Sequence, residues 1–133
     1  VSANFDTEID SHCPTRILFV DDEPLVLEGL RRSVYKEFVA DLAVGPEEGL
    51  AKLRSSGPYA VVVSDMRMPA MDGAEFLATV HAISPDSIRV MLTGCGDLES
   101  AKRAVNEGRV FQFLTKPVTS AQILAALRAS VAQ

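Results

Sequence analysis

The sequence contains no tryptophan and only two cysteines, Cys13 and Cys95, with no metal-ligand spacing and no framework of partners around them. Two free thiols in a reducing compartment, the cytoplasm, is the reading that fits. Long apolar runs are also missing: no stretch approaches the roughly 18 residues of a membrane-spanning helix. Basic clusters are missing too, since the longest are the pairs Arg31–Arg32 and Lys102–Arg103. With 18 acidic against 13 basic residues the net charge is -5 and the sequence pI about 5.0. That balance excludes electrostatic binding to nucleic acid or to an anionic membrane, which needs a basic face. Residues 1–15 carry Asp6, Glu8 and Asp10 and no apolar core, so they are not a signal peptide; they are expected to form a flexible tail ahead of one domain, 16–133. Internal repeats and low-complexity tracts are absent. What is present, 133 residues of which 47% are hydrophobic, suffices to build a core without disulfides or a structural metal.

From Arg16 onward, short apolar runs alternate with amphipathic segments. Residues 17–20, 60–63 and 90–92 are continuous and apolar, as strands covered on both faces of a parallel sheet should be. Residues 39–44 and 110–114 are interrupted by Asp41 and Gln112, which suits edge strands. Between them lie helical stripes: Leu27, Leu30 and Val34; Phe76, Leu77, Val80 and Ile83; Leu98, Ala101 and Val105; Ile123, Leu124, Leu127 and Val131. A shorter segment from Pro46 carries Leu50 and Leu53. Pro24 and Pro46 suit first helical turns. Asp72 with Glu75 and Thr119 with Gln122 have capping-box spacing, and Asp97 is an N-cap before Leu98. Gly57–Pro58 and Ser84–Pro85 end the helices before them. Strict βα alternation of five strands and five helices predicts an open α/β sheet with helices on both faces.

Ligands of such sheets bind beyond the carboxyl ends of the strands. Asp21, Asp22 and Glu23 follow the first predicted strand, Ser64 and Asp65 the third, Thr93 and Gly94 the fourth, Thr115 and Lys116 the fifth. Singly, each has an ordinary explanation: an acidic pair at a helix start is favoured by the dipole, and Lys116–Pro117 is a strand end before a turn. Jointly, three aspartates, a hydroxyl and a lysine converge on one rim. Three clustered carboxylates repel, and a hard divalent cation such as Mg²⁺ relieves the conflict while also binding phosphate. An ionised aspartate beside it can attack phosphorus, with the metal and an ammonium neutralising the transferring oxygens. These parts describe an aspartyl-phosphate site.

The same residues lie in the strings D-M-R-M-P-A-M-D-G (65–73), M-L-T-G (91–94) and F-L-T-K-P (113–117), after the pair Asp21–Asp22. The ordered set resembles the receiver domain of bacterial two-component response regulators, the family of the chemotaxis regulator, from Arg16 to about Val131. The resemblance implies a flavodoxin-like, doubly wound five-stranded parallel sheet of order 2-1-3-4-5 with five helices. It implies that Asp65 is the phosphoacceptor and a metal ligand, Asp22 a direct Mg²⁺ ligand, Asp21 a ligand through water, and the backbone carbonyl of Arg67 a further ligand, with Mn²⁺ able to substitute. Thr93 becomes the switch hydroxyl, Lys116 the phosphate-pairing ammonium, and Phe113 the rotameric aromatic, here without a phenolic hydroxyl. A cis peptide is implied before Pro117. Arg67 and Cys95 fall where the family tunes access of attacking water. Met66, Met68 and Met71 are read as packing.

The implied function is that of a cytoplasmic signalling switch rather than a turnover enzyme, phosphorylated by a sensor histidine kinase or phosphotransfer protein. The face made by the fourth helix, fifth strand and fifth helix is expected to change its partner affinity and is a candidate homodimer surface. Output is expected either from stand-alone action or from a C-terminal domain absent from this chain, and residues 106–117 look most like receivers joined to HD-GYP cyclic-di-GMP phosphodiesterases. A haloacid-dehalogenase-like Mg-dependent phosphatase is the alternative, although its D-x-D-x-T pattern meets Asp21–Asp22–Glu23–Pro24 here. A flavodoxin-like cofactor binder would need a phosphate-cradling loop after Val20, which the sequence lacks.

Overall fold

A computed structural model describes residues 15–133; Cys13 and all but the last residue of the expected tail, 1–15, lie outside the described residues. Strands β1 (Arg16–Asp21), β2 (Val39–Val44), β3 (Val61–Asp65), β4 (Ile88–Thr93) and β5 (Gln112–Thr115) form one parallel sheet in the order β2-β1-β3-β4-β5. The crossovers are helices α1 (Pro24–Val34), α2 (Pro46–Ser56), α3 (Gly73–Ile83), α4 (Leu98–Asn106) and α5 (Ser120–Val131), with a 3₁₀ turn over Cys95–Asp97. The chain therefore adopts the expected doubly wound order. Because β2 and β3 flank β1 on opposite sides, the loops after β1 and β3 diverge, opening a crevice at the strands' carboxyl ends.

Period-two alternation divides the apolar strand residues between two cores. Ile17, Phe19, Val61, Val63, Val90 and Leu92 face Leu27 and Val34 of α1 and Ile123 and Leu127 of α5. Leu18, Val20, Val62 and Met91 face the other way, onto Leu53 of α2, Phe76, Leu77 and Val80 of α3, and Ala101 and Ala104 of α4. Covering on both sides is why the three central strands read as unbroken apolar runs. Met66 and Met68 are buried in the second core with Met71 packed on it, as the packing reading required. Asp41 and Gln112 do lie on the edge strands.

The start signals are realised closely. Pro24 and Pro46 open their helices, and both capping boxes form: Asp72 accepts from the Glu75 N–H at 2.8 Å, and Thr119 from the Gln122 N–H at 3.1 Å. Three local expectations need correction. Asp97 makes no cap hydrogen bond, because Arg67 takes its carboxylate in a two-point ion pair. The fifth strand begins at Gln112, since the Val110 N–H is drawn to the Ala104 carbonyl behind α4. Val131, placed on the last helical stripe, is 42% exposed at the final position of α5.

At the strands' amino ends, Arg16 stacks 4.6 Å from the Tyr59 ring centroid and pairs with Asp41 at 3.1 Å, while the Tyr59 hydroxyl donates to the same carboxylate at 2.6 Å. Burial, reinforced by that carboxylate, pushes the phenol up to about 12, and the Tyr59 hydrogen bond with Arg16 holds Asp41 below its usual range.

Gly73 is demanded by a close approach. A Cβ on Gly73 would stand 2.3 Å from the Asp65 carbonyl oxygen and 2.8 Å from the Met66 Cα, both backbone atoms that cannot swing away. The Gly73 N–H donates to the Met66 carbonyl at 2.8 Å, tying the start of α3 to the end of β3. Gly73→Ala should cost about 2 kcal/mol or more in denaturant unfolding, as overpacking against fixed atoms does. A stability unchanged from the natural chain would mean that α3 does not abut β3 this tightly.

Candidate functional site

Neighbouring β1 and β3 end together at the crevice, so Asp21 and Asp22 meet Asp65. One carboxylate oxygen from each of the three lies within 4.8 Å of the others. Asp21 and Asp65 are buried, Asp22 half-buried. Lys116, just past β5, forms an ion pair with Asp65. Its own N–H is fixed by the Thr93 carbonyl at 2.8 Å, so the ends of β4 and β5 set the lysine's position. Burial disfavours the Lys116 ammonium, but the bond to Asp65 and the charges of Asp65, Asp21 and Glu23 outweigh it, and its pKa lies above the usual lysine value.

Asp21 is the strained member. The Glu23 N–H donates to its Oδ1 at 2.9 Å, whereas Oδ2 is buried without a hydrogen-bond partner. Burial, with the charge of Asp65 adding to it against the Glu23 N–H and Lys116, pushes the carboxyl from 3.8 up to about 6. An orphaned buried carboxylate oxygen facing two further carboxylates is the donor set a hard divalent cation takes, and the residues present fit one.

Between about pH 4 and 6 the folded, metal-free chain binds more protons at Asp21 than the unfolded chain does, so stability falls as pH rises through that window. Above it the penalty is complete, on the order of 2–3 kcal/mol. In chelator, Asp21→Asn should therefore stabilise the protein at pH 7.5 and lose most of that gain near pH 4. Urea unfolding at both values checks it; an Asn variant less stable at pH 7.5 would contradict the assignment.

The remaining expected residues fall as follows. Thr93 is fully buried at the end of β4, its hydroxyl donating to the Gly94 carbonyl at 3.2 Å. Phe113 pairs in register with Met91, two residues before Thr93, so it shares a sheet face with Thr93, away from the carboxylates and against the core beneath α4. Arg67 lines one cavity of about 370 Å³ with Asp22, Asp65, Gly94 and Lys116. Its side chain leaves the carboxylates and pairs with Asp97, a partner that sequence spacing did not reveal. Cys95 is free and exposed. The Lys116–Pro117 peptide is cis, as implied. Among the described residues no helix is long and apolar enough to cross a membrane.

An open parallel sheet of order 2-1-3-4-5, carrying a triple carboxylate and a lysine at its switch point, defines a flavodoxin-like receiver. The chain belongs to the response regulator receiver domain family, whose model matches residues 17–128. It is 33% identical over 122 residues to the uncharacterized transcriptional regulatory protein YesN of Bacillus subtilis, covering 89% of this chain and 33% of that protein. To the transcriptional regulatory protein GlrR of Escherichia coli it is 39% identical over 110 residues, covering 81% of this chain and 24% of the relative. The chain thus spans about a quarter to a third of the length of these relatives. Among solved structures, an adenylate cyclase from Rhodopirellula baltica superposes with a TM-score of 0.87 at 42% identity, covering 90% of this chain and 89% of that one. The signal receiver domain of an HD domain-containing protein from Pseudomonas fluorescens gives 0.81 at 30%, covering 90% and 96%. The haloacid-dehalogenase alternative is not supported: the matching family model is that of a receiver domain, and a response regulator receiver domain protein from Clostridium thermocellum is among the similar solved structures.

Proposed function

We propose that Asp65 is the phosphoacceptor of this receiver. The observation that supports it is the carboxylate triad with its orphaned oxygen, set against the Asp65–Lys116 ion pair. Asp21, Asp22, Asp65 and the backbone carbonyl of Arg67 would hold Mg²⁺, or Mn²⁺ in its place. When bound, the cation neutralises charge on the transferring phosphoryl oxygens. An Asp65 oxygen attacks phosphorus as the N–P bond of a partner's phosphohistidine breaks, the electron pair returning to the imidazole. Lys116, already beside Asp65, follows the phosphoryl group with a charge-assisted bond, and the Thr93 hydroxyl, turned from the Gly94 carbonyl, donates to another of its oxygens. The ring of Phe113 moves into the space on the Thr93 side of the sheet. The face of α4, β5 and α5 then changes its affinity for partners, including a second copy. The chain acts as a cytoplasmic switch, not as a turnover enzyme.

The donor proposed is a sensor histidine kinase or phosphotransfer protein. An apolar groove along Val26, Gly29 and Leu30 of α1 reaches Lys116, Pro117 and Val118, with Leu25 beside it 85% exposed. That groove supports docking of a partner next to the acceptor. The relatives' names divide between transcriptional regulation, an adenylate cyclase and an HD-domain protein. Receivers like this one thus occur with different outputs in different proteins, and the output proposed for this chain is a C-terminal domain of the HD-GYP kind.

Acetyl phosphate with Mg²⁺ should add one phosphoryl group by intact-mass spectrometry, and none to Asp65→Asn or in chelator. Full labelling of that variant would overturn the assignment, and continuous consumption of acetyl phosphate would favour an enzyme. Beryllofluoride, a phosphoryl mimic, should shift amide resonances from Thr93 through residues 97–132. Shifts confined to the surroundings of Asp65 would exclude the α4–β5–α5 face as output.

A further inference from the structure

Arg67 and Asp97 come from different loops. Arg67 lies two residues past Asp65, and Asp97 closes the 3₁₀ turn that follows Thr93 and Gly94. Nε of Arg67 donates to Oδ2 of Asp97 at 2.8 Å and Nη2 to Oδ1 at 3.0 Å. The Arg67 side chain is 76% exposed and that of Asp97 14%, so the acid is the anchored partner and the arginine the movable one. Both line the cavity into which Asp65 and Lys116 open. The pair forms a wall of the acceptor's mouth.

Asp97 is also held in an unusual backbone state for its place. It sits at the N-cap of α4 with ψ 11° and makes no cap bond, whereas the caps of α3 and α5, Asp72 and Thr119, have ψ 171° and 161° and do cap. Its N–H instead closes the 3₁₀ turn on the Gly94 carbonyl at 3.1 Å. The 3₁₀ turn runs directly into α4, and the Asp97 side chain gives the helix start no cap bond.

We propose that Asp97 is a positioning residue that parks Arg67 away from the acceptor, and that a phosphoryl group on Asp65 takes Arg67 from it and releases Asp97 to cap α4. This rests on Asp65 being the phosphoacceptor. The exchange is chemically matched at both ends. A guanidinium fork engages carboxylate and phosphate alike, and a phosphoryl group offers more charge and three acceptor oxygens. The freed carboxylate stands at the N-cap of α4, from which a side chain engages the N–H groups of the second and third helical residues, here Glu99 and Ser100. Capping requires Asp97 to turn to extended ψ, which opens the 3₁₀ turn beside Thr93. Occupancy of Asp65 is thus carried to the start of α4 by an ion-pair exchange as well as by the threonine.

Calorimetric titration of the whole chain with beryllofluoride in saturating Mg²⁺ tests this. Asp97→Asn should tighten binding about three- to fivefold by freeing Arg67, and Arg67→Ala should weaken it by a similar factor, the scale of an exposed ion pair. In the Arg67→Ala background, Asp97→Asn should change affinity less than about twofold, because Asp97 acts through Arg67. A merely structural bridge would move both single variants the same way, and that result, or an effect of Asp97→Asn that survives without Arg67, overturns the proposal. Amide exchange at Glu99 and Ser100 should slow about threefold or more on saturation in the natural chain but not in Asp97→Ala; equal behaviour overturns the capping step. Failure of the natural chain to bind beryllofluoride would overturn the acceptor assignment and this proposal with it, whereas normal binding with the wrong variant pattern overturns this proposal alone.

Discussion

Three carboxylates crowded at the rim, with Asp21 and Asp65 buried there by a sheet that could not place them elsewhere, form the constraint on which this molecule depends. β1 and β3 are neighbours that end together, and each ends in an aspartate. Hydrophobic burial on both faces fixes their register, because slipping a strand by one residue would turn Ile17, Phe19, Val61 and Val63 out of one core. The electrostatic cost at the rim is therefore imposed by packing beneath it. Lys116 offsets part of that cost, and Asp21 Oδ2 carries the remainder.

Two layers of local chemistry keep the rim open to reaction. Gly73 lets α3 start against the Asp65 carbonyl, so the loop from Met66 to Asp72 stays short and folds back over the second core. On the other side, the Thr93 carbonyl holds the Lys116 backbone. Asp65 and Lys116 are thus positioned by main-chain contacts, whereas Thr93 Oγ1 and the Arg67 guanidinium are each held by one neighbouring residue, the guanidinium through two bonds to Asp97.

Most of the fold was legible because its signals are local. Apolar runs, prolines at first turns and two capping boxes each act within a few residues, and the rim residues follow from strand ends once the alternation is seen. What escaped was set by contacts between distant segments. Asp97 carries every mark of an N-cap, but nothing in its neighbourhood announces an arginine thirty positions earlier. Val110 has strand character that the Ala104 carbonyl overrides. Gly73 stands out in the string 65–73, but its reason, a backbone 2.3 Å from an absent Cβ, is a property of packing. The Arg16–Asp41–Tyr59 cluster likewise joins three segments that share no spacing rule.

That cluster gives the sheet a direction. At the strands' amino ends, cation, ring, phenol and carboxylate satisfy one another, and the ring of Tyr59 is buried beneath them. At the carboxyl ends, like charges crowd together, and the turn before α4 is held by its own Asp97 N–H to Gly94 carbonyl bond and by an ion pair whose arginine is exposed. Local opening of such a structure is cheapest at the reactive end and dearest at the opposite one. Fluctuations that admit a phosphodonor can therefore recur at the rim while the far end keeps the strands in register, and the domain can be soft where it is read and firm where it is held.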